Sequence, residues 1–136
     1  MAIIRTDDLP TLDELVELYG SVGWSAYTRD PARLLRGVRA SLGVATAREG
    51  DRLVGLARVV GDGETIIYLQ DVLVHPEQQR QGLGRALVEA VFEPYRDVRQ
   101  HVLLTDLEER QRQFYEALGF KLVGEIGGRA FARYQP

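Results

Sequence analysis

Leu69-Gln-Asp-Val-Leu-Val-His-Pro-Glu-Gln-Gln-Arg-Gln-Gly-Leu-Gly-Arg-Ala-Leu-Val-Glu-Ala-Val91 runs an apolar strand into a proline, a short polar turn, two glycines and an amphipathic helix. A turn of that composition before a helix is suited to holding an anion. The N–H groups of a first helical turn have no acceptor within the helix, and the helix dipole adds partial positive charge at the same end. Gly82 and Gly84 remove side chains that would hold a phosphate off the backbone. Arg80 and Arg85 bring full charges to it. The stretch therefore predicts a site for a pyrophosphate-sized group.

The flanking chain predicts a mixed α/β domain. Upstream, Ala2 to Arg5 reads as a short strand, and Thr11 with Glu14 has the spacing of a capping box. Leu12, Leu15, Val16 and Tyr19 form a helical stripe. Asp30-Pro31 opens a second helix with Leu34 or Leu35, Val38 and Leu42 as its stripe. Strands are expected over 44–47, 53–60 and 65–74, the last apolar enough to be central. Downstream of the glycine turn, Leu83, Ala86, Leu87, Ala90 and Val91 fall on one helix face. A strand follows over 101–105, then a helix over 110–118 introduced by Asp106 and Glu109 and closed by Gly119. Two last strands are expected over 120–123 and 129–134. The order β, α, α, β, β, β, α, β, α, β, β is not that of a doubly wound parallel sheet. At 136 residues, with no linker or repeat, a single domain over 1–136 is expected.

Composition narrows the function classes. With 17 Lys and Arg against 20 Asp and Glu, the net charge of −3 favours neither a nucleic acid nor a membrane as a general partner. The absence of cysteine removes disulfides, a thiol nucleophile and thiolate metal sites. His75 and His101 are too few for a metal centre, so none is expected. The start of the chain has no basic segment followed by an apolar stretch, and a cytoplasmic location is the default expectation.

Three phosphate-binding patterns compete for the glycine turn. A P-loop needs Lys and a hydroxyl after its last glycine, where Arg85-Ala86 stands. A dinucleotide fingerprint needs a third glycine where Leu87 stands, and a longer chain. Gln79-Arg-Gln-Gly82-Leu-Gly84 fits the third, [Q/R]-x-x-G-x-[G/A]. With the strand Asp71-Val-Leu-Val before it and Phe114-Tyr-Glu-Ala-Leu-Gly-Phe120 after it, the chain resembles the GCN5-related N-acetyltransferase (GNAT) superfamily from the Thr11 helix to Tyr134. Val22-Gly-Trp24 and Asp71-Val-Leu-Val are also similar to the arylalkylamine (serotonin-type) acetyltransferases of plastids and cyanobacteria.

The resemblance implies a mixed, mostly antiparallel central sheet flanked by about four helices. It implies acetyl-CoA as cosubstrate, its pyrophosphate cradled by Gln79, Arg80, Gln81, Gly82, Leu83, Gly84 and Arg85. Its pantetheine arm would pair with the edge of Leu73 and Val74, in a gap between splayed strands, and Phe114 joins the cofactor-binding set. The acceptor is a primary amine, on a small molecule or a protein. Acetyl transfer to it proceeds by direct attack, in keeping with the lack of cysteine and of a G-x-S-x-G elbow.

Tyr115 takes the family's tyrosine position as general acid, and its turn of about 100° from Phe114 is expected to aim it out of the core. Asp71, a carboxylate in an apolar strand, is the candidate for a proton relay or a structural hydrogen bond. Tyr68 and Gln70, on the opposite strand face unless a bulge intervenes, are expected on the acceptor side with Trp24 and Tyr27. Glu108 stands where the family often has an asparagine, which puts that contact in doubt. A homodimer through the C-terminal strands is left open. The competing reading is a non-catalytic acyl-CoA-binding or regulatory domain on the same fold.

Overall fold

The computed structural model describes all residues, 1–136. The chain forms two compact units, Met1–Leu104 and Thr105–Pro136.

The first unit is built on five strands in the order β1-β2-β3-β4-β5: Ile3–Arg5, Gly43–Glu49, Arg52–Gly61, Ile66–Val74 and Gln100–Leu103. Three neighbour pairs are antiparallel and only β4–β5 is parallel, so the sheet is the mixed, mostly antiparallel one expected. Helices α1 (Leu12–Ser21), α2 (Ser25–Thr28) and α3 (Pro31–Arg39) precede β2, and α4 (Leu83–Phe92) joins β4 to β5. The parallel pair follows from that connection, since a helical crossover returns the chain in its starting direction.

Local chemistry explains the starts of α1 and α3. The Thr11 hydroxyl accepts from Glu14 N–H, and the Glu14 carboxylate accepts from Thr11 N–H, completing the capping box. Asp30 caps Arg33 N–H, with Pro31 at the first helical position. Leu15, Leu18 and Tyr19 of α1 pack with Leu34 and Val38 of α3 over Val44, Leu56 and Leu73 of the sheet. The buried stripe of α1 is thus Leu15, Leu18 and Tyr19, with Leu12 exposed and Val16 half-buried, and Leu42 falls beyond α3. On the opposite face α4 lies close to β3. A Cβ at Gly55 would stand 2.9 Å from Leu87 Cδ1, so glycine permits the approach.

β4 carries a bulge. Arg58 faces Asp71 and Val59 faces Leu69, leaving Gln70 without a partner on β3. Gln70 is exposed while Leu69 and Asp71 on either side are buried. β5 pairs only with the first part of β4, Ile66 to Leu69. From Gln70 to Val74 that edge of β4 therefore has no strand beside it.

The second unit holds α5 (Glu109–Ala117), closed by Gly119 at φ +95°. Its start differs from the expected capping box. Asp106 accepts from Glu108 N–H in a turn, and Glu108 precedes the helix without a side-chain cap. The two last strands do not form. Val123–Ile126 is a 3₁₀ turn ended by Gly127 at φ +84°, and residues 127–136 have no regular structure. A strand needs a ladder partner, and the two segments do not pair with each other. Residues 121–136 are all exposed, Phe131 and Tyr134 among them.

Candidate active site

The glycine turn begins where Pro76–Gln78 makes one 3₁₀ turn after β4. His75 Nδ1 accepts from Glu77 N–H, and Gln79 Nε2 donates to Val74 O at 3.0 Å. These bonds tie the turn to the end of its strand. Arg80 has φ +67°, the only non-glycine residue in the chain at positive φ. Gly82, at φ +79°, is the N-cap of α4, with no side chain over the helix end and nothing within 4 Å of a Cβ built there. Ala86 N–H is the first to bond back, to Gly82 O. The N–H groups of Leu83, Gly84 and Arg85 thus open the helix without an intrahelical acceptor. Successive left-handed and right-handed residues turn such groups toward one concavity, which suits an anion. The Arg85 side chain is drawn elsewhere, to Glu89 one turn along at 3.0 Å, on an exposed surface.

The open edge of β4 leads from this turn to a buried polar cluster. Asp71, 3% exposed, accepts from Tyr19 Oη at 2.8 Å, Tyr27 Oη at 2.6 Å and Arg58 Nε at 2.6 Å. Arg58 also donates to Gly37 O and Ser41 Oγ. Burial works against its charge, but the Asp71 carboxylate beside it prevails and its pKa is raised. Burial is the leading reason the Tyr19 and Tyr27 phenols are both pushed up, with the Asp71 charge adding to it. Asp71 is therefore the acceptor at the centre of three donors. Of the two roles open to it, the geometry supplies the structural hydrogen bond directly.

Tyr27 carries this cluster outward. Its hydroxyl donates to Asp71 and accepts from Nε2 of exposed Gln70 at 3.0 Å. Gln70 is opposite in burial to adjacent Asp71, as strand alternation requires, and the bulge leaves it without a partner on β3. The Tyr27 ring meets Tyr19 edge-on at 5.0 Å and lies 6.1 Å from half-buried Trp24, which meets Tyr19 edge-on at 5.9 Å. Trp24, Tyr27, Gln70 and Asp71 thus form one connected group. Tyr68 is half-buried two residues before Gln70 on the same strand. Leu73 is buried in the α1–α3 core and Val74 is half-buried.

Phe114 and Tyr115 lie on α5 in the second unit. Tyr115, at 9% exposed, is the buried ring there, while Phe114 and Leu118 are half-buried, the reverse of the expected order. Phe120 accounts for this. Gly119 turns the chain so that Phe120 N–H bonds Tyr115 O, and Tyr115 meets Phe114 and Phe120 edge-on at 5.0 and 5.9 Å. Burial, then the Asp106 charge, push the Tyr115 phenol up to about 12. Its hydroxyl bonds no protein group, yet no polar side-chain atom in the chain is both sealed and unpaired. The hydroxyl is left accessible to an acceptor from outside.

Tyr19 and Arg58 were not foreseen. Arg58 is a charge inside the apolar run 53–60, as Asp71 is inside 65–74. Two opposite charges in consecutive buried strands are the signal that points to their pairing.

The comparisons agree with this geometry. The model of the acetyltransferase (GNAT) domain matches residues 40–122, which include the sheet from β2 onward, the glycine turn and α5. An uncharacterised N-acetyltransferase, ycf52-like, of Prochlorococcus marinus is 32% identical over 129 residues, 88% of this chain and 66% of that one. A chloroplastic serotonin N-acetyltransferase 2 of Oryza sativa is 33% identical over 137 residues, 97% of this chain and 68% of that one. The chain thus spans about two thirds of the length of these relatives. A GNAT family acetyltransferase of Streptococcus pneumoniae superposes with a TM-score of 0.88 at 30% identity, covering 99% of this chain and 98% of that one. With the sheet, the glycine-capped α4 and these matches in accord, the chain belongs to the GNAT acetyltransferase family.

Proposed function

We propose that the chain moves the acetyl group of acetyl-CoA to a primary amine by direct attack in a ternary complex. The observation that carries this reading is the glycine-capped start of α4, with its unbonded N–H groups, next to the open edge of β4 from Gln70 to Val74. Leu83, Gly84 and Arg85 N–H would hold the pyrophosphate, while Arg80, Gln81 and Gly82 shape the turn and Gln79 holds it to β4. The amides of the pantetheine arm would pair with the backbone at Leu73 and Val74, as an added strand does. Phe114 would pack near the arm.

In the transfer, the amine nitrogen forms a bond to the acetyl carbonyl carbon and the carbon–sulfur bond breaks. The products are an acetamide and the free thiol of CoA. The amine must be neutral to attack, and water carries away its proton. Tyr115 is protonated at neutral pH, as a phenol of ordinary pKa is and as burial reinforces, so it can hydrogen-bond the departing sulfur as general acid. Asp71 is too enclosed to meet the amine, and acts by positioning: it fixes the Tyr27 hydroxyl, which with Gln70, Tyr68 and Trp24 faces the acceptor. The aromatic character of that group and the serotonin-named relative make an arylalkylamine the first acceptor to try. A homodimer is part of the reading. It is supported by the outer edge of β5, which ends the sheet, and by the exposed apolar side chains of residues 121–136.

Thiol release from acetyl-CoA, measured with a panel of arylalkylamines, polyamines and lysine peptides, tests the reaction. Release that depends on one amine class is expected. CoA binding with no turnover on any of them would leave the non-catalytic binding domain as the reading. The turn is tested by Gly82→Asp, whose carboxylate enters the anion cradle. CoA affinity should fall by about tenfold or more, while the left-handed backbone costs about 1 kcal/mol of stability. Unchanged CoA affinity in the folded variant would remove the turn from the site.

A further inference from the structure

Helix α3 presents a basic face with nothing on it. Arg33, Arg36 and Arg39 recur at every third residue and span an arc of about 120° on the helix. Leu34 and Val38, the buried residues of α3, lie on the opposite side. Arg29, at the end of α2, extends the basic side toward the chain's N-terminus. All four arginines are exposed, and none of their guanidinium groups has an ion pair or hydrogen bond within the chain. Six of the eight other arginines of the same unit are treated differently. Arg5, Arg48, Arg52, Arg58, Arg85 and Arg96 each sit within 4 Å of a carboxylate. In a chain of net charge −3, carboxylates are plentiful, yet this face is left uncompensated.

The stripe runs into a cavity. Arg39 ends α3, and with Ser41 and Leu42 after it lines a cavity of about 400 Å³. Its other walls include Leu9, Val44, Val91, Pro94 and Tyr95. Leu9 and Leu42 are among the chain's exposed large apolar side chains. Two carboxylates also reach the cavity, but both are already paired: Asp7 with Arg5, and Asp8 with Arg48 and Thr46. The surface thus offers free guanidinium groups along α3 and, at its end, a recess whose walls are part polar and part apolar, the apolar part around Leu9, Leu42 and Val91.

We propose that this face docks an acidic polypeptide segment, whose carboxylates lie on Arg33, Arg36 and Arg39 and whose apolar side chain enters the cavity beside Leu42. Guanidinium groups bind carboxylates with two parallel hydrogen bonds, which favours arginine over lysine for such a face. In an extended segment, carboxylates on alternate residues stand about 7 Å apart, and Arg33 and Arg39 stand about 9 Å apart along the axis. One side of such a segment therefore matches the stripe. A nucleic acid matches it less well. Its continuous charge would extend over the acidic remainder of the surface.

Fluorescence anisotropy with the full chain tests this. The probe is a labelled, N-terminally blocked, lysine-free peptide of alternating glutamate and serine that ends in phenylalanine. With no amine and no acetyl-CoA present, it reports docking apart from the acetyl transfer proposed above, so either can fail alone. Saturable binding at low salt is expected, weakening as salt rises. The double variant Arg33→Glu, Arg36→Glu should bind about tenfold more weakly or worse, with CoA affinity unchanged. On the wild-type chain, exchanging the peptide's glutamates for glutamine should abolish binding, and exchanging its phenylalanine for serine should weaken it severalfold. These two measurements hold even if the double variant does not fold. Absence of saturable binding would overturn the proposal, as would affinity indifferent to the glutamates or to a folded double variant. Equal or tighter binding of a single-stranded oligonucleotide would assign the face to nucleic acid instead.

Discussion

Tyr115 stands edge-on to Phe114 and Phe120, and its hydroxyl has no partner in the protein. Its contribution to stability has a definite sign. Burial favours the neutral phenol and lifts the folded pKa from 10.0 to about 12. The stability that goes with this is present in full below pH 10 and is lost as pH rises through about 12. At neutral pH the side chain is a donor waiting for an acceptor, which is the state the proposed hydrogen bond to sulfur requires. Tyr115→Phe keeps the ring contacts and removes only the donor. Folding stability should change by less than about 0.5 kcal/mol, while kcat should fall about a hundredfold with the KM for acetyl-CoA little altered. Wild-type turnover in steady-state assays of this variant would take Tyr115 out of the mechanism. The F-Y-E-x-x-G-F block made this residue legible in the sequence. Its burial was not, because a helical wheel cannot anticipate that Gly119 folds Phe120 back against it.

The start of α1 shows how a local motif is enlisted by an element far away in sequence. Thr11 and Glu14 close the capping box, and the same Glu14 carboxylate takes the Arg48 guanidinium from β2. Arg48 in turn holds Asp8 in the loop before α1. The hydrogen bonds from Arg48 are the largest reason the Glu14 pKa is lowered to about 2 from 4.5. A depressed folded pKa stabilises the fold above the unfolded value, and the effect disappears as pH falls through the folded value. The unfolding free energy should therefore decline between about pH 4.5 and pH 2, followed by urea titration at a series of pH values. In Glu14→Gln the Glu14 part of that slope should vanish, leaving the part due to Asp8, which Arg48 also depresses. An unchanged acid slope would mean that Glu14 titrates alike in the folded and unfolded chain. The cap could be read from four consecutive residues, whereas the ion pair joins positions 34 apart in the chain.

For the whole molecule, the sheet ends at β5 with an open edge, and the last sixteen residues, 121–136, are exposed. Edge strands and exposed aromatic side chains are surfaces that proteins ordinarily cover. If a second copy covers them, light scattering should give about twice the 15.3 kDa of one chain. Removal of residues 129–136 should return the mass to that of one chain. A full-length chain that stays monomeric at the concentrations of the assay would exclude the homodimer. No helix is long and apolar enough to cross a membrane.

The sequence alone determined what depends on near neighbours. The capping of α1 and α3, the glycine turn between β4 and α4, the order of the first nine expected elements, to which the structure adds the short helix α2, and the family all follow from residues close together along the chain. Tertiary structure alone decided what depends on distant partners. Asp71 gains its meaning from Tyr19, Tyr27 and Arg58, which are 52, 44 and 13 positions away. The bulge at Gln70 exists only in the pairing of β4 with β3, and the Gln70 amide finds the Tyr27 hydroxyl 43 positions away. The expected strands over 120–123 and 129–134 have suitable residues but no partner, and remain unformed. A helix satisfies most of its backbone from within, so its limits can be read locally. A strand's hydrogen bonds and a buried charge's neutrality both lie in another part of the chain.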